Sequence, residues 1–236
     1  MNKRVSIIIP VLHEALIIND LIVHLRGLER AEKSELIVVD GGAAEDTLDA
    51  IADKEVRRLT APPGRARQMN TGAAAASGDI LLFLHADTRL PADALTLIDL
   101  VMSGSRYWGG AFNLGISSPR WIYRFIAAAA SIRSRLTRIP YGDQAIFIGK
   151  EVLQHLGSYP EIPLMEDVAL MQRIKKSGGK IYIIPRCVAT SPRRWEQEGI
   201  IYATLRNRFL LMAYCLGVPP AKLAGHYTNG ERKNDR

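Results

Sequence analysis

Cysteine is scarce: Cys187 and Cys215 are the two in 236 residues. Two cannot build a disulfide framework or a cysteine zinc site, and such usage suits a reducing cytoplasm. Both are expected in the core. Long apolar runs are missing as well. The longest weakly polar segment, Trp121 to Ile132, contains Arg124 and is too short to span a bilayer. Met1 to Arg4 is basic, but the apolar run Val5 to Ile9 stops at Pro10, well short of a signal peptide, so no export signal is expected. Glycine is absent where a dinucleotide fold needs it. After the first apolar run the sequence reads Pro10-Val11-Leu12-His13-Glu14, with no Gly-x-Gly-x-x-Gly turn, and no Walker pattern occurs anywhere. Nicotinamide cofactors and P-loop chemistry are thereby excluded. Acidic residues are in deficit, 24 against 31 Lys and Arg, and the resulting +7 charge favours anions: phosphorylated metabolites, acidic lipid or nucleic acid.

What is present is an ordinary globular composition, 47% hydrophobic and 23% charged, without repeats or low-complexity linkers. Val5 to Ile9 predicts a buried strand, and Leu16, Ile17, Leu21, Leu25 and Leu28 then recur at helical spacing. Glu35 to Val39 predicts the next strand, ending in Asp40-Gly41-Gly42, and a third lies near Val56 to Leu59. Gly64 to Ser77 carries Arg65, Arg67, Gln68 and Asn70 ahead of an alanine-rich helical stretch. Ile80 to Leu84 is a strand buried on both faces. Beyond Pro91 come a helix to about Met102, an irregular strand over Tyr107 to Ile116, and a helix over Arg120 to Arg138. A short strand at Ala145 to Ile148 precedes a helix opened by Pro163-Leu164-Met165-Glu166-Asp167. A strand at Lys180 to Ile184, an amphipathic helix from about Glu198 to Leu216 and a polar tail after Tyr227 complete the chain. Strands alternating with helices imply an α/β fold with a doubly wound, mostly parallel sheet.

Three places in this pattern hold chemistry. Asp87 follows the buried strand Ile80 to Leu84, and open α/β sheets hold ligands at the carboxyl ends of such strands. Asp87 and Thr88 also suit the cap of the following helix. Glu166-Asp167 stands in a first helical turn, where paired acids either complement the helix dipole or supply a general base. Arg120, Arg124, Arg133, Arg135 and Arg138 occupy one helical segment without an acidic residue. That segment is either a solvated helix face or a contact for an anionic membrane surface or acceptor.

The first strand with Pro10 and Glu14 behind it, the second ending at Asp40, the site at Asp87 and the Glu166-Asp167 pair resemble, in order and spacing, the family 2 glycosyltransferases of the GT-A fold. The runs Arg67-Gln68-Met69-Asn70, Tyr141-Gly142-Asp143-Gln144, Pro163-Leu164-Met165-Glu166-Asp167 and Ser191-Pro192-Arg193-Arg194-Trp195 resemble, more narrowly, the radical-SAM/selenodomain-associated transferase 2 subgroup. The resemblance implies one GT-A domain over residues 1–227, with a nucleotide-binding half at 1–90, an acceptor half at 91–227 and a tail at 228–236. It implies an inverting transfer from a nucleotide-diphosphate-sugar, a UDP-sugar being favoured, to an unknown acceptor. Asp167 would be the general base with Glu166 beside it. Pro10, Glu14, Asp40, Arg65, Arg67, Asn70, Asp87 and Arg194 would bind the donor, and Asp143, Gln144 and Trp195 the acceptor.

Asp87 would also hold a divalent cation, Mn2+ or Mg2+, which takes carboxylate oxygens, phosphates and water. The family usually shows Asp-x-Asp here, whereas this chain reads His85-Ala86-Asp87. Three roles are open to His85: metal ligand, phosphate donor, or packing and hydrogen bonding, with the last ranked first. Nucleic acid is not an expected partner. The expected location is cytoplasmic, with peripheral contact to the inner face of the plasma membrane through the 120–138 helix. The alternatives are a sugar nucleotidyltransferase and a silent nucleotide-sugar-binding or membrane-associated protein.

Overall fold

The computed structural model describes residues 3–104 and 106–227; the expectations for Met1, Asn2 and the 228–236 tail lie outside them. Eight strands form one sheet in the order β3-β2-β1-β4-β7-β6-β8-β5. Its first half is β1 (Val5–Val11), β2 (Ser34–Asp40), β3 (Arg57–Thr60) and β4 (Ile80–Phe83), all paired in parallel. The second half is mixed. β7 (Phe147–Gly149) runs antiparallel to β4 and to β6 (Gly109–Ile116), β6 pairs in parallel with β8 (Ile181–Thr190), and β5 (Thr88–Arg89) lies antiparallel on the far edge of β8.

Helices cover both faces because the strands are apolar on both. Ile7, Ile9, Leu36, Val38, Ile80 and Leu82 join α1 (Ile18–Arg26) and α4 (Ala94–Met102) in one core. Their alternates Ile8, Ile37, Val39, Leu81 and Phe83 join α3 (Arg65–Ala75) and α7 (Glu166–Lys176) in another. The remaining helices are α2 (Asp46–Ala50), α5 (Trp121–Thr137), α6 (Lys150–His155), α8 (Arg193–Glu198), α9 (Ile200–Cys215) and α10 (Pro220–Tyr227). Among the described residues, no helix is long and apolar enough to cross a membrane.

Four expectations need correction. Pro10 does not stop β1, which continues to Val11 beside β2. Ile8 uses its carbonyl on Leu84 and Val11 its carbonyl on Gly41, so position 10 faces the β4 side, where pairing has already ended. No ladder donor is missed there. The last strand runs six residues past Ile184 because it bulges: Phe112 pairs with Ile184 but Asn113 with Cys187, leaving Pro185 and Arg186 outside the ladder. The helix expected from Glu198 to Leu216 is broken at Gly199, whose φ of 89° only glycine adopts readily, and this separates α8 from α9. Finally, Cys187 and Cys215 are exposed rather than buried. One follows the bulge and the other ends α9 on its outer side.

Candidate active site

β1, β2 and β4 end together, and their carboxyl ends form the floor of a cleft. At the end of β2, Asp40 is fully buried. Its Oδ1 accepts from the Gly42 N–H at 2.7 Å, while its Oδ2 has no hydrogen-bond partner. A buried carboxylate oxygen without a donor is costly unless a ligand supplies one. Gln68, on α3, closes the floor by donating from Nε2 to the Val11 carbonyl at 2.7 Å and the Val39 carbonyl at 2.9 Å. A Cβ on Gly41 would stand 2.9 Å from Gln68 Cδ, so this glycine is required by close approach. Gln68 carried no expected role, yet it sets the positions of Asp40 and Pro10.

Asp87 leaves β4 through His85 and Ala86. The Ser191 N–H donates to the Asp87 carbonyl at 3.1 Å, and Thr88 pairs with Thr190, so β5 stitches this turn to the end of β8. That pairing brings Ser191 to Trp195 beside Asp87. The Asp87 side chain accepts a long hydrogen bond of 3.5 Å from the Thr88 hydroxyl and keeps a carboxylate oxygen uncommitted. Among the described residues no group of three or more His, Cys, Asp or Glu side chains is arranged to hold a metal ion. One uncommitted carboxylate nevertheless suits a hard cation that takes its remaining ligands from phosphates and water. Burial, reinforced by the charges of Arg65 and Arg194, pushes the His85 imidazole well below its ordinary pKa and keeps it neutral.

Opposite Asp87 stands the acidic pair. The Asp167 carboxylate accepts from the Gly142 N–H and the Val168 N–H, both at 2.7 Å. Burial raises its pKa, against the pull of those two donors. Glu166 is raised by burial and then by the charge of Asp167, and its Oε1 lies 3.6 Å from Arg65 Nη1. The hydrogen bond from Gly142 places Asp143 next to Asp167. Asp143 Oδ1 is buried without a partner, and burial followed by the Asp167 charge pushes the carboxyl up to about 6. Pro10, Arg65, His85, Gly142, Glu166 and Asp167 line one small cavity between the two walls.

The cleft therefore gathers Pro10, Asp40, Arg65, Asp87, Asp143, Glu166 and Asp167. The other expected residues are engaged elsewhere. Glu14 holds Arg193 in a two-pronged ion pair at 2.7 and 3.2 Å. Arg67 reaches outward to Glu161 at 3.3 Å. Asn70, expected on the donor, spends both ends of its amide on the Tyr159 backbone at 2.9 Å and clamps α3 to the approach of α7. Gln144, expected on the acceptor, is fully buried: Nε2 donates to the Phe112 carbonyl and the Ser134 hydroxyl, and Oε1 accepts from Tyr141 and Arg133. It holds the 141–144 turn in place, and no atom is left for a substrate. Arg194 stacks on Tyr227 at 4.7 Å, and Trp195 meets Tyr123 edge-on at 6.2 Å, so both stand at the rim.

Residues 6–117, through the end of β6, match the model described as Glycosyl transferase family 2. Over those 112 of its 236 residues the chain is similar to that family. No curated protein matches the sequence. Among solved structures, the fold is similar to that of the mannosyltransferase PcManGT from Pyrobaculum calidifontis, solved in complex with GDP-Man and Mn2+. The TM-score is 0.66 at 20% identity, over 94% of this chain and 67% of that one. The fold is GT-A.

Proposed function

We propose that this protein is a glycosyltransferase, rather than a nucleotidyltransferase or a silent binding protein, and that it carries out a single displacement with inversion, taking its sugar from a nucleotide-diphosphate-sugar bound across the carboxyl ends of β1, β2 and β4. One observation carries the reading: the cleft opposes an unsatisfied buried carboxylate oxygen at Asp40 and an uncommitted one at Asp87 to the acidic pair Glu166-Asp167. Asp40 Oδ2 accepts from the base. Uracil N3–H fits this and is our first assignment; guanine N1–H fits as well and is favoured by the neighbour solved with GDP-Man.

Asp87 would hold a divalent cation, which when bound would supply stabilisation of the charge growing on the leaving diphosphate. Arg65 adds positive charge from the first turn of α3, on the same side. Asp167 accepts the proton of the acceptor hydroxyl, and its basicity, raised by burial, favours that transfer. Glu166 is bound to Arg65 and orients it. Asp143 borders the acceptor side, residues 1–90 serve the donor, and residues 91–227 serve the acceptor.

The test is calorimetric titration with UDP and GDP, with Mn2+ and with chelator, on the wild type and on Asp40→Ala, Asp87→Ala and Asp167→Asn. We expect Mn2+-dependent binding of one diphosphate, lost in Asp87→Ala and less selective in Asp40→Ala. Asp167→Asn should bind the nucleotide nearly normally, while losing roughly 10²- to 10⁴-fold in sugar transfer once an acceptor is in hand. Binding indifferent to chelator removes the metal from the reading, and unchanged base preference in Asp40→Ala moves the base pocket elsewhere.

A further inference from the structure

α5 is turned inside out for a surface helix. Towards the sheet it buries Tyr123, Ala127, Ser131 and Ser134, and Ser131 bonds the backbone of Leu114. Towards solvent it presents Trp121, Phe125, Ile132 and Leu136, each 57–80% exposed. At about 100° per residue these four fall within an arc of about 60°, on the side away from the core. Arg124 and Arg135 flank that stripe on one side, Arg135 also donating from Nε to Asn113 Oδ1 at 3.1 Å, and the exposed Arg120 and Arg138 cap the two ends of the helix. Arg133 does not join them: it turns inward, 3.4 Å above the Tyr141 ring, and donates to the Ile139 carbonyl. The segment from Tyr107 to Gly142 contains no acidic residue.

α9 repeats the arrangement. It buries Ala203, Arg206 and Leu210, the arginine neutralised by Glu198 at 2.6 Å, and exposes Ile201, Tyr202, Leu205, Phe209, Met212 and Leu216 at 57–84%. These six span an arc of about 100°. The two helices are neighbours: Tyr123 of α5 meets Trp195 of α8, α9 follows α8 directly, and the Arg133 and Arg208 charges act on one another.

We infer that the outward faces of α5 and α9 form a docking surface for an anionic lipid bilayer. Exposed apolar faces on neighbouring helices mark interaction sites. The flanking arginines, together with the absence of acidic residues from the whole 107–142 segment, choose a negatively charged occupant over a neutral apolar one. Residues 228–236 of the chain are polar throughout and do not supply an apolar cover. In this arrangement the apolar stripes enter the acyl boundary and the arginines meet lipid phosphates, whereas two copies packed through these faces would bring arginine-rich flanks together.

Co-sedimentation of the full chain with phosphatidylglycerol-containing and pure phosphatidylcholine vesicles tests the inference, with sedimentation velocity run in parallel. The wild type should pellet with the anionic vesicles and release as salt rises. Trp121→Ser/Phe125→Ser and Leu205→Ser/Phe209→Ser should each weaken that partition by roughly tenfold or more. Arg120→Ala/Arg124→Ala should weaken it on anionic vesicles only. Circular dichroism matching the wild type shows that the variants remain folded, as changes at exposed positions should. Failure to bind anionic vesicles overturns the inference, as does wild-type partition in either serine double variant. A dimer that forms without lipid and is abolished by the serine variants assigns the faces to a second copy instead.

Discussion

Asp143 shows how little at the residue scale follows from residue type. Its neighbours in sequence, Tyr141 and Gln144, are consumed by structure: burial pushes the Tyr141 hydroxyl up to about 12 beneath the Arg133 guanidinium, and Gln144 satisfies four groups of the protein. Asp143 alone of the three keeps a buried oxygen without a partner. Its carboxyl is raised from 3.8 to about 6, so between those values the native state holds a proton that the unfolded chain has lost. Its contribution to stability is therefore complete at low pH and is lost as pH climbs through about 6. Asp143→Asn, which cannot ionise, should match the wild type near pH 4 and exceed it in stability by a growing margin up to about pH 6, then by a constant one. Urea unfolding of both proteins in chelator across that range measures the margin. A margin independent of pH would mean that Asp143 is ionised throughout.

At the scale of elements, α3 does more than cover the sheet. Its first residue is Arg65, its buried face carries Gln68 on the β1 and β2 carbonyls, and Asn70 ties it to Tyr159 near the head of α7. The donor floor and the acidic pair are thus fixed to one helix. How low that helix rides is set by Gly72, where an added Cβ would stand 2.5 Å from Ile8 Cγ2 and 3.2 Å from Val39 Cγ2. Gly72→Val must lift α3 or move β1, at a cost of about 1–3 kcal/mol. We expect a lower urea midpoint and, at temperatures where the variant is fully folded, weaker nucleotide binding because Arg65 and Gln68 have moved. Unchanged binding would show that the height of α3 does not matter to the site.

Elements were legible where a continuous apolar run did the talking. Val5 to Ile9, Glu35 to Val39 and Ile80 to Leu84 announce β1, β2 and β4 because both faces of each are buried. β5 has two residues and is held by β8, a partner far away in sequence, so no local pattern betrays it. Within the cleft, Asp87 could be placed from its position after a strand, whereas the pairing of Asp40, Asp143 and Asp167 with particular roles came through family resemblance. Gln68, Asn70 and Gln144 look the same as ligand-binding amides until their partners are seen. Arg133 was grouped with four other arginines because charge is visible in a sequence and direction is not.

For the whole molecule, the order of strands in space departs from their order in the chain. β3, β2, β1 and β4 are complete by Phe83, but β4 waits for β7 at Phe147, and β6 has both of its partners, β7 and β8, still to come. During synthesis the chain therefore passes through a long interval in which Ile80–Phe83 is an unpaired apolar edge and Gly109–Ile116 has no sheet to join. Such edges recruit other chains. A truncated chain stopped at residue 117 should accumulate as aggregate, where the full chain stays dispersed under the same conditions; a dispersed, folded fragment would show that β4 protects its own edge. The ribosome thus exposes this protein to its greatest hazard midway through translation, and slow codons between residues 84 and 146 would prolong it.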